Sequence, residues 1–338
     1  MKKPYKFFLV SSLLLIYLVI AAGAIVRMTG SGMGCPDWPK CFGYIIPPIE
    51  RFQLEWKADY AYKEGQVIIL DESLLVAKMD FITETNYNPD NWEPYTKHDY
   101  SIFNPTHTWI EFLNRLLGAI AGLATLFLFI TALFRIKKDP ITTILSFVVV
   151  LGMGFQAWLG KTVVDSNLLP FKITIHMGMA LLIVLFLIFL LQRENKPTKI
   201  LPNTTSFKVL VFMSLVLTLI QIGMGTQVRQ FVDEQIRYWG LAASPNWLKE
   251  APLLFYIHRS FSLIVLGVHM VIFYILYNKQ HLPIEFLFIL VLIVLEILTG
   301  IWMYYFEFPF SSQPLHLFFA SLLFGAQSYF MIRIFEQR

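Results

Sequence analysis

Apolar residues run for about twenty positions at a time in eight separate stretches of this chain, over residues 7 to 27, 109 to 134, 140 to 160, 172 to 191, 207 to 228, 252 to 277, 283 to 304 and 315 to 334. Crossing a bilayer takes about 20 largely apolar residues, so the pattern predicts eight transmembrane helices and an all-α integral membrane protein. The first stretch follows MKKPYK and resembles a signal peptide, but no A-x-A-like site ends it, and it reads as a retained helix. Residues 28 to 107 break the pattern. This long loop is charged yet aromatic; FQLEWKADYAYKEG (52 to 65) reads as a short amphipathic helix and QVIIL as a strand, so a folded cover is expected there rather than disorder.

Composition agrees with a membrane protein. The 338 residues are 56% hydrophobic and 15% charged, against roughly 25% charge in soluble domains. The segments MKKPYK, RIKKD, QRENKPTK with Lys208, NKQ and the C-terminus hold 13 Lys or Arg against 3 acids, whereas the loop 28 to 107 holds 6 basic and 12 acidic residues. The positive-inside rule therefore puts both termini in the cytoplasm and the long loop outside. The net charge of +4 is mostly this one-sided bias and does not argue for nucleic acid. Cys35 and Cys41 both lie in the outer segment GCPDWPKC, where a disulfide is permitted, and such a closed loop is either redox-active or rigid.

The chain also repeats itself. GAIVRMTGSG (23 to 32) parallels GTQVRQFVDE (225 to 234), pairing Arg27 with Arg229. IEFLNRLLGAIAG parallels LFYIHRSFSLIVLG, pairing Asn114 with His258 and Arg115 with Arg259. FQAWLG (155 to 160) parallels LEILTG (295 to 300), pairing Gln156 with Glu296, and His176 then pairs with His316. Polar positions that agree at near-constant offset go beyond the chance likeness of oily helices. An even unit of four helices preserves orientation, so two tandem four-helix bundles, residues 1–199 and 207–338, are expected about a pseudo-two-fold axis along the membrane normal. ILPNTTS (200 to 206) suits the turn between them.

Three of the seven histidines, His176, His258 and His316, open helices 4, 6 and 8 at one depth from the outer side. Ionisable groups inside a span mark a pathway or a bound group. Histidines with apolar flanks at one level of a bundle suit axial ligation of haem iron. The bland alternative is a hydrogen-bonded core histidine, which fits His269 best because it has no counterpart in the repeat. His281 and His98 read as solvated or structural. Zinc, nicotinamide, flavin and nucleotide sites lack their motifs here. Arg115 and Arg259, each directly after a ligand-type position, suit haem propionates, as do Arg27 and Arg229, although lipid-directed snorkelling explains the last two equally well. Glu111 can share a helix face with Asn114 and Arg115. Its counterpart in the second half is Phe255, so the halves are chemically unequal: one carries a carboxylate able to accept a proton or only to pair with Arg115, and the other a firm histidine.

These residues together resemble haem A synthase, the family of the mitochondrial cytochrome oxidase assembly enzyme of that activity and its bacterial relatives. The likeness rests on GAIVRMTGSGMGCPDWPKC (23 to 41), EFLNRLLG (111 to 118), TIHMGMALL (174 to 182), GTQVR (225 to 229), IHRSF (257 to 261) and PLHLFFA (314 to 320), and covers all eight helices in order. It implies a bacterial inner-membrane protein in which the C-terminal half holds haem b on His258 and His316. The N-terminal half, with His176, would take haem O and oxidise its C8 methyl group to a formyl. Glu111 matches the family's catalytic carboxylate, and Cys35 and Cys41 match an outer cysteine pair found in some members. The haem O synthase becomes a candidate partner, while the electron acceptor and any homo-oligomer are left open. One departure stands out: the family pattern reads E-x-x-H-R, and this chain has Asn114 for the histidine. His176 is then the one motif-matched ligand of that half, unless His107, about 10 Å upstream along a helix, bends in.

Two other function classes compete. A di-haem b-type electron-transfer protein would need bis-histidine ligation in both halves, which Asn114 disfavours. A transporter of parallel repeats would put its polar residues near mid-membrane, whereas here they gather toward one end.

Overall fold

A computed structural model describes residues 2–96, 103–166, 170–195 and 201–336, so that His98 lies outside the described residues. Eight helices are long and apolar enough to cross a membrane: α1 Lys2–Met28, α2 Pro105–Leu133, α3 Pro140–Asp165, α4 Pro170–Glu194, α5 Thr205–Trp239, α6 Leu253–Asn278, α7 Ile284–Tyr305 and α8 Ser312–Phe335. The chain is a multi-pass membrane protein.

Local chemistry sets the helix ends. Asn104 accepts hydrogen bonds from the backbone N–H of Thr106 and His107, and Pro105 occupies the first helical position, so α2 begins four residues before its apolar run. Asp139 and Pro140 start α3 in the same way. The apolar run of α5 stops near residue 228, but the helix continues through RQFVDEQIRYW to Trp239 and ends where Gly240 turns at φ 84°. Polar composition hides these three extra turns from a hydropathy reading.

Helices α1 to α4 pack as one set, α1 against α2 and α4, and α3 against α2 and α4. Helices α5 to α8 repeat the same neighbours, α5 against α6 and α8, and α7 against α6 and α8. The sets meet along α1–α8, α4–α8 and α4–α5. Between α1 and α8 the hydroxyl of Tyr17 lies where a Cβ on Gly325 would stand, so a side chain there would have to displace Tyr17. Buried side chains of α1, α2, α3 and α4, among them Leu9, Leu128, Val149 and Leu187, form one core with Phe324 of α8. Ile272, Phe286, Ile289 and Phe330 anchor a second core among α5 to α8.

The end that carries the termini is tied by ion pairs, Arg135 to Glu194 at 2.6 Å, Arg193 to Asp139 at 2.8 Å and Arg333 to Glu285 at 2.5 Å. At the opposite end the long loop folds into a small β unit. Strands β2 Val67–Leu70 and β3 Ser73–Ala77 pair antiparallel, and β5 Trp92–Pro94 joins β3. A second pair links β1 Ala61–Tyr62 and β4 Phe81–Ile82. The strand expected in QVIIL is β2. The amphipathic helix expected over 52 to 65 is absent: Arg51–Leu54 forms a single 3-10 turn, and Tyr62 is instead a strand residue packed on Trp92. One face of the sheet, Val67, Ile69 and Leu74, covers Cys35 and Cys41, and the other, Ile68 and Ala77, covers Tyr62 and Trp92. Alternation along these short strands buries both faces, which an isolated amphipathic helix would not do.

Candidate functional site

Four glycines face four polar side chains at the loop end of the helices. A Cβ on Gly225 of α5 would lie 3.1 Å from Cε1 of His258 on α6, and one on Gly160 of α3 would lie 3.6 Å from Cε1 of His176 on α4. Gly300 of α7 meets His316 of α8 at 3.9 Å in the same sense. The fourth pair is Gly23 of α1 with Asn114 of α2, at 4.0 Å from Oδ1. Each polar group therefore sits against a neighbouring helix bare of a side chain. Asn114 occupies the place that a histidine takes in the other three pairs.

Supporting groups differ between the sets. The Gln156 side-chain amide donates to the His176 carbonyl at 3.0 Å, and that of Gln221 donates to the His258 carbonyl at 2.9 Å. His316 Nδ1 lies 2.9 Å from Thr299 Oγ1 and 3.3 Å from Glu296 Oε2. The imidazoles of His258 and His316 face each other with centres 6.4 Å apart and planes at 84°. Asn114 Oδ1, Gln156 Oε1 and His176 Nδ1 in the first set, and Gln221 Oε1, His258 Nδ1 and Glu296 Oε1 in the second, are buried without a hydrogen-bond partner among the described residues. Buried polar atoms left this way are costly unless something else pairs them. The repeat made Gln156 and Glu296 visible as a pair in the sequence, but Gln221 and Thr299 carried no such signal. His269 does not belong to the site: Nδ1 meets the Val265 carbonyl at 2.7 Å and Nε2 meets Gln327 at 2.8 Å, so it is a satisfied core histidine.

Glu111 lies one turn of α2 nearer the loop than Asn114 and is 3% exposed. Its Oε2 accepts from the Cys35 backbone N–H at 2.8 Å and its Oε1 from Arg115 at 2.5 Å. Arg115 also donates to the carbonyls of Asp37 at 2.7 Å and Lys40 at 3.0 Å. Cys35 and Cys41 form a disulfide, and both are fully buried under the β unit. The backbone turn around them leaves no room for side chains: a Cβ on Gly34 would lie 2.4 Å from the His107 carbonyl oxygen, and Thr108 Oγ1 donates to the Gly34 carbonyl at 2.7 Å. Within the disulfide loop, Asp37 accepts from the N–H groups of Phe42 and Gly43. Its carboxyl is nonetheless raised above the usual range, because burial outweighs those bonds and the nearby Arg115. His107 stands two turns from Asn114 on a continuous helix, so no bend brings it toward the site.

The four arginines divide by partner. Arg27 and Arg229 share one carboxylate, Asp233, at 2.6 Å and 2.7 Å, and Arg229 also reaches Gln313 and the Arg27 carbonyl. Asp233 lies in the part of α5 beyond its apolar run, which is why sequence reading passed over it. Arg115 is committed to Glu111 and the loop. Arg259 has no carboxylate within ion-pair distance among the described residues, and its guanidinium rests on Phe255, Tyr256 and Tyr304 at 5.4 to 6.0 Å from their ring centres.

Comparison with known families decides the relationship. The model of the COX15-CtaA family, described as cytochrome oxidase assembly protein, matches residues 6–87 and 88–328. The chain belongs to the COX15-CtaA family. Relatives in it include the haem A synthase of Flavobacterium johnsoniae, 25% identical over 99% of both chains, and that of Bartonella tribocorum, 27% identical over 93% of this chain and 88% of the relative. The haem A synthase of Shewanella oneidensis is 27% identical over 61% of this chain, a stretch that spans only half of that relative. COX15-CtaA membership makes the chemistry haem-related and the context cytochrome oxidase assembly.

Proposed function

We propose that this protein is a haem A synthase of the bacterial inner membrane, converting the C8 methyl group of haem O to the formyl group of haem A. The observation that carries this reading is the set of four glycine-backed polar groups, three of them histidines, with buried Glu111 one turn of α2 from Asn114 where α6 has Phe255. In this reading the halves, residues 1–199 and 207–338, are tandem bundles about a pseudo-two-fold axis along the membrane normal, with both termini cytoplasmic and the sites near the outer face. The repeated neighbour pattern of the two helix sets supports the symmetry.

The second set fits a resident haem b. Imidazole nitrogens bind first-row metals at about 2 Å, which places the centres of two opposed imidazoles roughly 6 Å apart, and His258 and His316 stand 6.4 Å apart. Thr299 and Glu296 hold His316 by Nδ1, fixing the orientation of the imidazole and leaving Nε2 for a metal. Haem b, when bound, supplies one-electron redox chemistry. Arg259, lined by aromatic faces and with no carboxylate in ion-pair distance among the described residues, is the arginine best placed for a propionate, whereas Arg115, Arg27 and Arg229 already serve the fold.

The first set fits the substrate. His176 is its imidazole, and the unpartnered polar atoms there, as in the second set, are ones that a bound molecule could complete. Glu111 is the group that would take a proton from the reacting end of the substrate, at Oε1 or Oε2. Arg115 and the Cys35 N–H keep it aimed and stabilise its charge. The disulfide loop closes over Glu111 through the Cys35 N–H and leaves it 3% exposed.

Extraction and chromatography of haems from membranes containing this protein and a supply of haem O test the reading, and haem A is the expected product. Glu111→Ala should abolish conversion while resident haem b stays. Protein that keeps haem b but never converts haem O would leave an electron-transfer role instead, and conversion at the normal rate by the variant would remove Glu111 from the chemistry.

A further inference from the structure

Three of the four glycine-backed positions hold an imidazole, and the fourth holds an amide whose Oδ1 has no hydrogen-bond partner among the described residues. Asn114 Oδ1 is buried and unpartnered, and Gly23 across from it leaves the space open. Carbonyl oxygen suits hard cations, whereas imidazole suits iron, so an asparagine at this place is a poor substitute for a histidine as a haem ligand. The nearby groups cannot stand in for it. Glu111 is tied to Cys35 and Arg115, Gln156 donates to the backbone of His176 on α4, and His107 lies two turns away, about 10 Å along the axis of a continuous α2.

We propose that Asn114 would leave a haem of the first helix set with one protein ligand, His176, and so an open position beside Asn114 that binds a small neutral diatomic molecule. This rests on the reading of the first set as the substrate haem site. The polarity, donors and steric access on the open side of a haem decide whether it binds small molecules or only passes electrons. By that criterion the two sets are built for different work. His258 and His316 would together hold one haem, whereas the first set would leave room for a small ligand beside the Asn114 amide.

Carbon monoxide is a direct probe. Full-length protein, purified after co-expression with a haem O supply and reduced, is expected to bind carbon monoxide at one of its two haems. Asn114→His should keep both haems, turn the second one low-spin and abolish carbon monoxide binding. Asn114→Ala should keep binding and move the C–O stretching frequency, because the amide that meets the ligand is gone. A two-haem wild-type protein that is low-spin throughout and silent to carbon monoxide would overturn the proposal, as would an Asn114→His protein that still binds it. An unmoved stretch in Asn114→Ala would remove the amide contact. A protein that never holds more than one haem per chain would overturn the haem reading of the first set, and the open position with it.

Discussion

His316 is the most fully supported of the three glycine-backed histidines, with Thr299 and Glu296 both on Nδ1. A carboxylate behind a ligating imidazole raises the electron donation of that ligand and favours the oxidised metal. Glu296→Gln keeps the size but puts an amide where a carboxyl oxygen faces Nδ1 of His316. The midpoint potential of the haem b proposed for the second set should therefore move positive in a redox titration while haem content stays unchanged, and an unmoved potential would reduce Glu296 to a packing residue. The histidines and Glu111 were legible in the sequence because each interrupts an apolar helix and most recur in the repeat. Gln221 and Thr299 were not, since an amide or a hydroxyl in a membrane helix has many ordinary explanations, and only their geometry shows which group they hold. Asn114 was legible as a departure from a family pattern, and the glycine across from it became visible only in three dimensions.

Helix ends explain most of what sequence reading missed at the next scale. Hydropathy found all eight helices but placed the start of α2 and the end of α5 by polarity, whereas the Asn104 cap and Gly240 set them. The β unit was partly legible: QVIIL has the composition of a strand, but the neighbouring 52 to 65 segment is committed to long-range pairing, which local pattern cannot show. The start of α3 gives a pH test. Burial alone would raise the Asp139 carboxyl, but the Thr142 hydroxyl and N–H together with Arg193 outweigh it and hold it below the usual range. The folded state therefore binds this proton less tightly than the unfolded chain. Asp139 stabilises the fold fully above the unfolded carboxylate range, and that contribution is lost as pH falls through the lower folded value. Asparagine caps helices about as well as aspartate, so Asp139→Asn isolates the charge. The variant should cost about 0.5–1 kcal/mol at neutral pH and flatten the acid limb of the unfolding curve, read by thermal melts in detergent from neutral to acidic pH. An equally steep acid limb would assign that limb to other groups.

Across the whole molecule, Asp233 ties the two helix sets together. Its carboxylate pairs with Arg27 from α1 and Arg229 from α5, so it bridges the ends of the two helices that the repeat makes equivalent. Asp233→Asn leaves two partly buried guanidinium groups facing each other without a counter-charge, expected to cost about 3 kcal/mol and to lower the unfolding midpoint in detergent. Arg27→Gln combined with Asp233→Asn should restore part of the loss, because one uncompensated cation goes. A double variant no better than the single one would mean that charge balance is not what the bridge provides. The repeat told the sequence reader that Arg27 and Arg229 correspond; the carboxylate between them was hidden in a polar stretch outside the apolar span.

The glycine-backed place of Asn114 has a consequence for descent. Asparagine and histidine codons differ only at their first base, and Gly23 already stands clear as Gly160, Gly225 and Gly300 do for their histidines. A lineage can therefore cross between the two versions of this position by one substitution, with no compensating change in the helix opposite.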